Sequence, residues 1–324
     1  MPELYAQLKA NLGEAVTAGE PLSRHTNFKI GGPAQYFFTA RTVEELTRAV
    51  QVADELKLPV TLLGGGSNVL VADAGVNGLV IAVKCNQLSI SGRQVTAEAG
   101  VALGFLVQQT LAAGLTGLEP LVAVPGTVGG AVYGNAGLPQ VARGFIGDWV
   151  GEVVVCRGDK LLHLPKADCA FSYRESLFKH NRDCILSATF ELAAGDKHQS
   201  QELIKKYVGA RKGQPYHMPS SGCVFTNVPI TNPDEVRQKF AGEPKLPEFL
   251  ERGQLPSSWL IDTQLRLKGK TIGQVQVSTD HANYLINLGG ATAEQVVMLI
   301  SFIKQQARDK LGLQLQEEVR YLGF

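Results

Sequence analysis

Leu63-Gly64-Gly65-Gly66-Ser67-Asn68-Val69 lies between two short apolar runs, residues 59–63 and 69–72, and its spacing decides which folds the chain can adopt. Glycines let a backbone approach a phosphate closely, and successive N–H groups can form an anion-binding concavity. Gly64 and Gly66 match the start of G-x-G-x-x-G, but Val69 fills the third glycine's place. A strand follows where a Rossmann unit needs a helix, and no G-K-[ST] follows where a P-loop needs one. A second stretch has the same character: Val124-Pro125-Gly126-Thr127-Val128-Gly129-Gly130-Ala131-Val132-Tyr133-Gly134-Asn135-Ala136-Gly137. Either loop alone could be a tight turn between strands. Two together point to a phosphate-bearing cofactor or ligand, held by loops that do not fit the standard nucleotide fingerprints.

Outward from these loops, strands and helices interleave. Residues 42–57 read as a helix, with Val43, Leu46, Val50, Ala53 and Leu56 on one face and Thr42 with Glu45 at capping-box spacing. Residues 59–63 read as a short buried strand, 69–72, 79–83 and 94–98 as further strands, and 102–113 as a helix stopped by Gly114. Strands at 152–156 and 185–192 precede a helix from Gln199 to about Lys212, ended by Gly213-Gln214-Pro215, where a domain boundary is expected. Beyond it, helices are expected at 257–267 and 292–311. Strands are expected at 222–226, 271–277 and 284–287, and a final one at 315–322. The class is α/β or α+β.

The chain has 324 residues, enough for two or three domains. Its formal net charge is +1, with Lys and Arg spread rather than clustered, so nothing calls for a nucleic-acid groove or a membrane surface. Residues 1–10 lack the pattern of a signal peptide. The uncharged run 120–142 is broken by Pro125, Pro139 and several glycines, which suits a loop-rich core segment and not a spanning helix. Five cysteines, at 85, 156, 169, 184 and 223, form no C-x-x-C pair, which points to reduced thiols in a cytoplasmic protein. Zinc spacing and G-x-S-x-G are absent, and the six histidines are scattered. Phe171-Ser172-Tyr173-Arg174-Glu175-Ser176-Leu177-Phe178 sets an Arg among aromatic residues, suited to carboxylate or phosphate recognition. In Gln316-Glu317-Glu318-Val319-Arg320-Tyr321, strand alternation puts Glu318 and Arg320 on one face.

Read in order, these segments resemble the UDP-N-acetylenolpyruvoylglucosamine reductase family. The matches are Thr26-Asn27-Phe28-Lys29-Ile30-Gly31-Gly32-Pro33-Ala34, residues 63–69, 125–137 and 171–178. Ser221-Gly222-Cys223-Val224-Phe225-Thr226-Asn227, Trp259-Leu260-Ile261-Asp262 and Glu318-Val319-Arg320 follow. The resemblance implies an α+β protein with a two-part FAD-binding fold of the vanillyl-alcohol-oxidase (PCMH) type and a C-terminal α/β substrate-binding domain. Residues 1–84, completed by a C-terminal strand at 313–324, would form the first FAD subdomain, 85–210 the second, and 211–312 the substrate domain. The spacing after Arg174 leaves no room for the extra tyrosine-bearing loop found in one form of the family.

By the same resemblance, FAD would be held by Leu63, Gly64, Gly65, Gly66, Ser67, Asn68 and Val69 and by Pro125, Gly126, Thr127, Gly129, Gly130, Ala131 and Asn135. NADPH would reduce the flavin, which would then deliver hydride to an enolpyruvyl UDP-sugar. Arg174 and Glu318 would stabilise the developing charge, Cys223 would supply the proton, and Tyr173, Asn227 and Lys268 would contact substrate. The sequence departs from the family at Thr226 and Val228, where many members have Lys and Pro. It departs again at Leu138-Pro139-Gln140, and at Gln316-Glu317 in place of a common Glu-Pro. The competing readings are a sugar or lactone oxidase of the same fold and a non-catalytic flavin- or nucleotide-binding relative. The set Arg174, Cys223 and Glu318 argues against both.

Overall fold

The computed structural model describes residues 2–138 and 143–324, so Pro139 and Gln140 of the departing segment, and the end of the uncharged run, lie outside the described residues. The chain divides into two compact units, each with its own apolar core.

The first unit comprises the chain up to Pro21, Pro33–Gly66 and Gly75–Lys212. Its first sheet runs Thr17–Pro21, Pro33–Ala40, Val76–Val83, Val60–Leu63, antiparallel at the first pair and parallel thereafter. Helices α1 (Pro2–Leu12) and α2 (Val43–Glu55) belong to it, and α2 buries Leu46, Ala49, Val52 and Ala53. Thr42 caps α2 by accepting from the Glu45 N–H at 3.2 Å. The Glu45 carboxylate reaches back to the N–H of Arg41 at 2.7 Å, one residue earlier than a capping box requires. Residues 60–63, expected to be buried, form the edge of this sheet, with Val60 and Leu62 exposed. An edge strand covered on one face leaves alternate side chains in water.

The second sheet is five-stranded and antiparallel, in the order Lys160–Pro165, Val150–Arg157, Cys184–Glu191, Gln94–Glu98, Leu88–Ser91. Helices α3 (Leu103–Ala112), α4 (Val128–Gly134) and α5 (Lys197–Gly209) accompany it. Helix α4 corrects the expectation of a loop through the second glycine-rich stretch. Glycine is a poor helix former, so propensity gives no signal here. Close packing supplies the reason: a Cβ on Gly129 would lie 2.8 Å from the Ala99 Cβ, and the Gly129 N–H donates to the Ala99 carbonyl.

The second unit comprises Leu22–Gly32, Ser67–Ala74 and Gly213–Phe324. A four-stranded antiparallel sheet orders Ser220–Cys223, Tyr284–Asn287, Val275–Val277, Thr271–Ile272. The strand expected over 271–277 is therefore a hairpin, turning at Gly273 with φ of +56°. Helices α6 (Pro233–Lys239), α7 (Leu246–Arg252), α8 (Ser257–Trp259) and α9 (Ala293–Leu311) complete it. The helix expected over 257–267 is one turn of α8 followed by a π-helical turn, Leu260–Gln264. Residues 313–324, expected to complete the subdomain of residues 1–84, group with this unit together with Ser67–Ala74 of that stretch, and Arg320–Leu322 pairs in parallel with Val69–Val71. Asp73, just past that strand, accepts from the N–H groups of Ala293 and Glu294 at 2.9 and 3.1 Å and so caps α9. Among the described residues no helix is long and apolar enough to cross a membrane.

Candidate active site

Within the first unit the two glycine-rich stretches meet. A Cβ on Gly65 would stand 3.1 Å from the Gly126 Cα, and one on Gly64 would stand 2.6 Å from Thr127 Oγ1. Thr127 is buried, and its hydroxyl oxygen has no hydrogen-bond partner among the described residues. Buried polar atoms are almost always paired, so an orphan at a seam of bare backbone fits a bound group that brings its own polar atoms. Gly64, Gly65, Gly126 and Thr127 can therefore hold the phosphate-bearing part of a dinucleotide. The guanidinium of Arg211 bonds the Ala123 carbonyl and ties down the approach to Pro125-Gly126-Thr127.

Asn135, expected at the cofactor, has a structural part as well. It ends α4 in the left-handed conformation, φ +42°, and its amide is used at both ends. Its oxygen accepts from the Gly147 N–H at 3.0 Å, and its nitrogen donates to the Ser172 carbonyl at 2.6 Å. Two residues before it, the Tyr133 carbonyl accepts from the Ser176 hydroxyl at 2.6 Å. Both bonds fasten the turn that carries Tyr173 and Arg174 to the end of α4. In that turn Ser172 and Glu175 exchange backbone bonds at 3.1 Å in each direction, which leaves Tyr173 and Arg174 at the tip. Arg174 has φ of +55°, a region where a non-glycine residue carries about 1–3 kcal/mol of strain that surrounding structure must hold. Phe145 packs edge-on against Tyr173 at 5.9 Å, and the Arg174 guanidinium lies 5.8 Å from the same Phe145 ring.

The other candidates are in the second unit. The loop 63–69 passes into it between Gly66 and Ser67. Cys223 ends its strand opposite Tyr284, after Gly222 at φ +80°. The backbone that follows is bonded along both edges. On one side the Val224 N–H donates to the Asn283 carbonyl at 2.8 Å. The buried Asn283 amide also accepts from the Phe225 N–H at 3.0 Å and donates to the Phe225 carbonyl at 2.8 Å. On the other side the Glu318 N–H donates to the Val224 carbonyl at 2.7 Å, and the Thr226 N–H to the Gln316 carbonyl at 2.9 Å. Glu318 is thus anchored one residue from Cys223. Asn68 adds to this, since its amide nitrogen donates to the Glu318 carbonyl at 3.1 Å. Glu317, on the opposite face of that segment, pairs with Lys304, while Val319 is buried in the core.

The cysteines divide sharply. Cys85, Cys156, Cys169 and Cys184 are buried, and Cys223 alone is partly exposed. Burial pushes the Cys85 and Cys169 thiols up to about 11, and raises Cys156 and Cys184 as well. Those four are inert packing groups at neutral pH. Of the substrate candidates, Asn227 accepts from the Ser257 N–H at 3.4 Å and donates to Gln254 at 3.3 Å, and Lys268 pairs with Asp262 at 2.7 Å. Among the described residues no group of three or more His, Cys, Asp or Glu side chains could hold a metal ion. Asn283, Ser176 and Lys179 escaped the sequence reading. Each is a common polar residue whose role appears only once the chain segment it bonds is in place.

Residues 34–160 match the family described as FAD binding domain, and with the glycine cradle this defines the chain as an FAD-dependent oxidoreductase of α+β architecture. Residues 214–322 match UDP-N-acetylenolpyruvoylglucosamine reductase, C-terminal domain. The chain is 36% identical over 309 residues to the UDP-N-acetylenolpyruvoylglucosamine reductase of Rubrobacter xylanophilus, covering 94% of each. It is 36% identical over 313 residues to that of Solibacter usitatus, covering 95% of this chain and 97% of the relative. Among solved structures, a UDP-N-acetylenolpyruvylglucosamine reductase from Thermus caldophilus superposes with a TM-score of 0.74 at 29% identity, over 95% of this chain and 98% of that one. The chain belongs to the UDP-N-acetylenolpyruvoylglucosamine reductase family.

Proposed function

We propose that this protein reduces the enolpyruvyl group of UDP-N-acetylglucosamine enolpyruvate to give UDP-N-acetylmuramate, a step of peptidoglycan precursor synthesis, in the cytoplasm and with NADPH as reductant. Gly64, Gly65, Gly126 and Thr127 would hold FAD, which would supply the hydride chemistry between NADPH and the methylene carbon of the substrate. The observation that carries the reading is the placement of Cys223: the one cysteine outside the core, on a strand whose next residue is bonded to Glu318.

The chain's own residues then have distinct tasks. The Cys223 thiol gives its proton to the carbon next to the one that receives hydride, and the resulting thiolate recovers a proton from water. A thiol ordinarily titrates near 8.5, so it is protonated at neutral pH yet far more acidic than an alcohol. Arg174 takes the carboxylate into which negative charge spreads, a fixed cation worth about 3–4 kcal/mol to such a transition state. Glu318 assists at the proton-receiving carbon. Asn227, Lys268 and Tyr173 bind the sugar nucleotide. The bonds from the Glu318 N–H to Val224 and from Asn68 to the Glu318 carbonyl support a fixed backbone at the base of its side chain, and the strained backbone of Arg174 supports a functional role for that residue.

The test is an anaerobic visible spectrum. NADPH bleaches the yellow protein, and the enolpyruvyl sugar nucleotide then restores the colour. Recovery only on admitting oxygen would favour an oxidase, and a colourless protein that takes up no FAD would remove the cofactor.

A further inference from the structure

Arg174 occupies a conformation that its own side chain disfavours, so something must hold its peptide there. Among the described residues, one side chain is well placed to do so. Lys179 Nζ lies 2.5 Å from the Arg174 carbonyl oxygen and 3.7 Å from the Glu175 carboxylate. Its side chain is only 17% exposed, low for a lysine. Its neighbours make it a rigid prop. It closes a 3-10 turn, Leu177–Lys179, in which Phe178 is fully buried and packs near Phe171. Ser176, just before that turn, is buried and bonded to the Tyr133 carbonyl. The ammonium therefore projects from a turn fixed at its base, not from a mobile surface.

We propose that Lys179 is a positioning residue for Arg174: it holds the left-handed peptide by donating to its carbonyl and so sets where the guanidinium points. The chemistry favours a cation here. In a left-handed tip residue the carbonyl is turned away from the turn's own backbone bonds, and a charged donor makes the stronger bond to it. Glu175 steadies the ammonium from the side, while its other neighbour, His180, lies 3.3 Å from the same oxygen. The inference rests on the role given to Arg174 above.

The experiment measures both half-reactions by stopped flow in FAD-loaded protein, in Lys179→Met, Lys179→Arg, Arg174→Ala and the double variant Lys179→Met with Arg174→Ala. Misplacing a reacting group by about 1 Å can cost on the order of 100-fold, so Lys179→Met is expected to slow flavin reoxidation by substrate about 10- to 100-fold. Bleaching by NADPH and FAD content stay at the parent level. Lys179→Arg, which keeps a charged donor, recovers most of the rate and serves if the methionine variant does not fold. In the Arg174→Ala background the methionine change has no further effect, which general damage to the fold would not produce. Lys179→Met within twofold of the parent, or a loss that simply adds to that of Arg174→Ala, overturns the proposal. Normal substrate reduction by Arg174→Ala would instead overturn the role of Arg174 itself.

Discussion

In the first unit the candidate site is made by leaving atoms out, with Gly65 and Gly126 so close that one methyl group would bring carbons to 3.1 Å. In the second it is made by adding side chains to a strand whose backbone is bonded on both edges, with Cys223 and Glu318 one residue apart across the bond between Glu318 and Val224. The difference sets how each part can fail. A backbone cradle is spoiled by bulk and is indifferent to most chemistry. A strand that works through one side chain, as proposed for Cys223, is spoiled by losing one functional group, and its geometry depends on groups such as Asn283 that hold its backbone.

The largest effect follows from the second kind of site. Cys223→Ala removes the proposed proton donor and is expected to lower substrate reduction about 1,000-fold, with flavin bleaching by NADPH unchanged. Cys223→Ser keeps a donor and should retain measurable turnover. Equal loss of both half-reactions in Cys223→Ala would show that the cysteine supports cofactor binding, and the contrast between the units would fail.

Asn283 tests whether the strand's scaffold matters as much as its chemistry. Its amide pairs with both the N–H and the carbonyl of Phe225, which is fully buried. Asn283→Ala leaves both groups buried and unmatched, a cost of about 2–4 kcal/mol measured by chemical denaturation. Asn283→Asp should be nearly as damaging, because a carboxylate oxygen then faces the Phe225 carbonyl. A change below about 0.5 kcal/mol in the alanine variant would mean that water replaces the amide.

The cradle makes the opposite prediction. Gly65→Ala presses a methyl group onto the Gly126 backbone, and overpacking of this kind costs about 1–3 kcal/mol, or roughly 5- to 150-fold in FAD affinity. Gly134→Ala is the control, since nothing lies within 4 Å of its added carbon. The ratio of flavin to protein absorbance after dialysis separates them. Equal retention of FAD by both variants would break the argument from bulk.

What could be read in the sequence follows the same division. Thr42 before α2, and Thr292 with Gln295 before α9, were legible because a cap is a local event between residues three apart. The glycine stretches stood out as bare backbone, and the structure brings Gly64 and Gly65 against Thr127 and Gly126. Helix α4 was not, because its stability comes from Gly129 lying against Ala99, a contact between distant residues. The C-terminal strand was legible and its return to the first 84 residues was implied by resemblance, but its particular partner at Val69–Val71 was not, as 250 residues of chain separate Asn68 from Glu318. Asn135 and Asn283 look like ordinary turn residues until the carbonyls they bond are in place. Cys223 stood out only by resemblance, and burial of the other four cysteines supplies the physical reason it differs.

The smallest prediction concerns how the first unit tolerates acid. Glu119 is a buried carboxylate beside the start of α5. Burial alone would raise its pKa, but the hydroxyls of Ser200 and Thr116, each at 2.6 Å, and the Gly117 N–H at 2.7 Å outweigh burial and hold it below its usual value. A carboxyl whose folded pKa lies below its unfolded one stabilises the fold fully above the unfolded value, near 4.3, and loses that contribution as pH falls through the folded value. Between about pH 7 and about pH 3 the parent should lose more stability than Glu119→Gln, which cannot titrate. The comparison uses urea unfolding at each pH, followed through the first unit's Trp149. A parallel pH dependence in the two proteins would place the acid-sensitive group elsewhere. A steeper one in the parent would locate it where α5 joins the rest of the cofactor unit, far in sequence from the chemistry of Cys223.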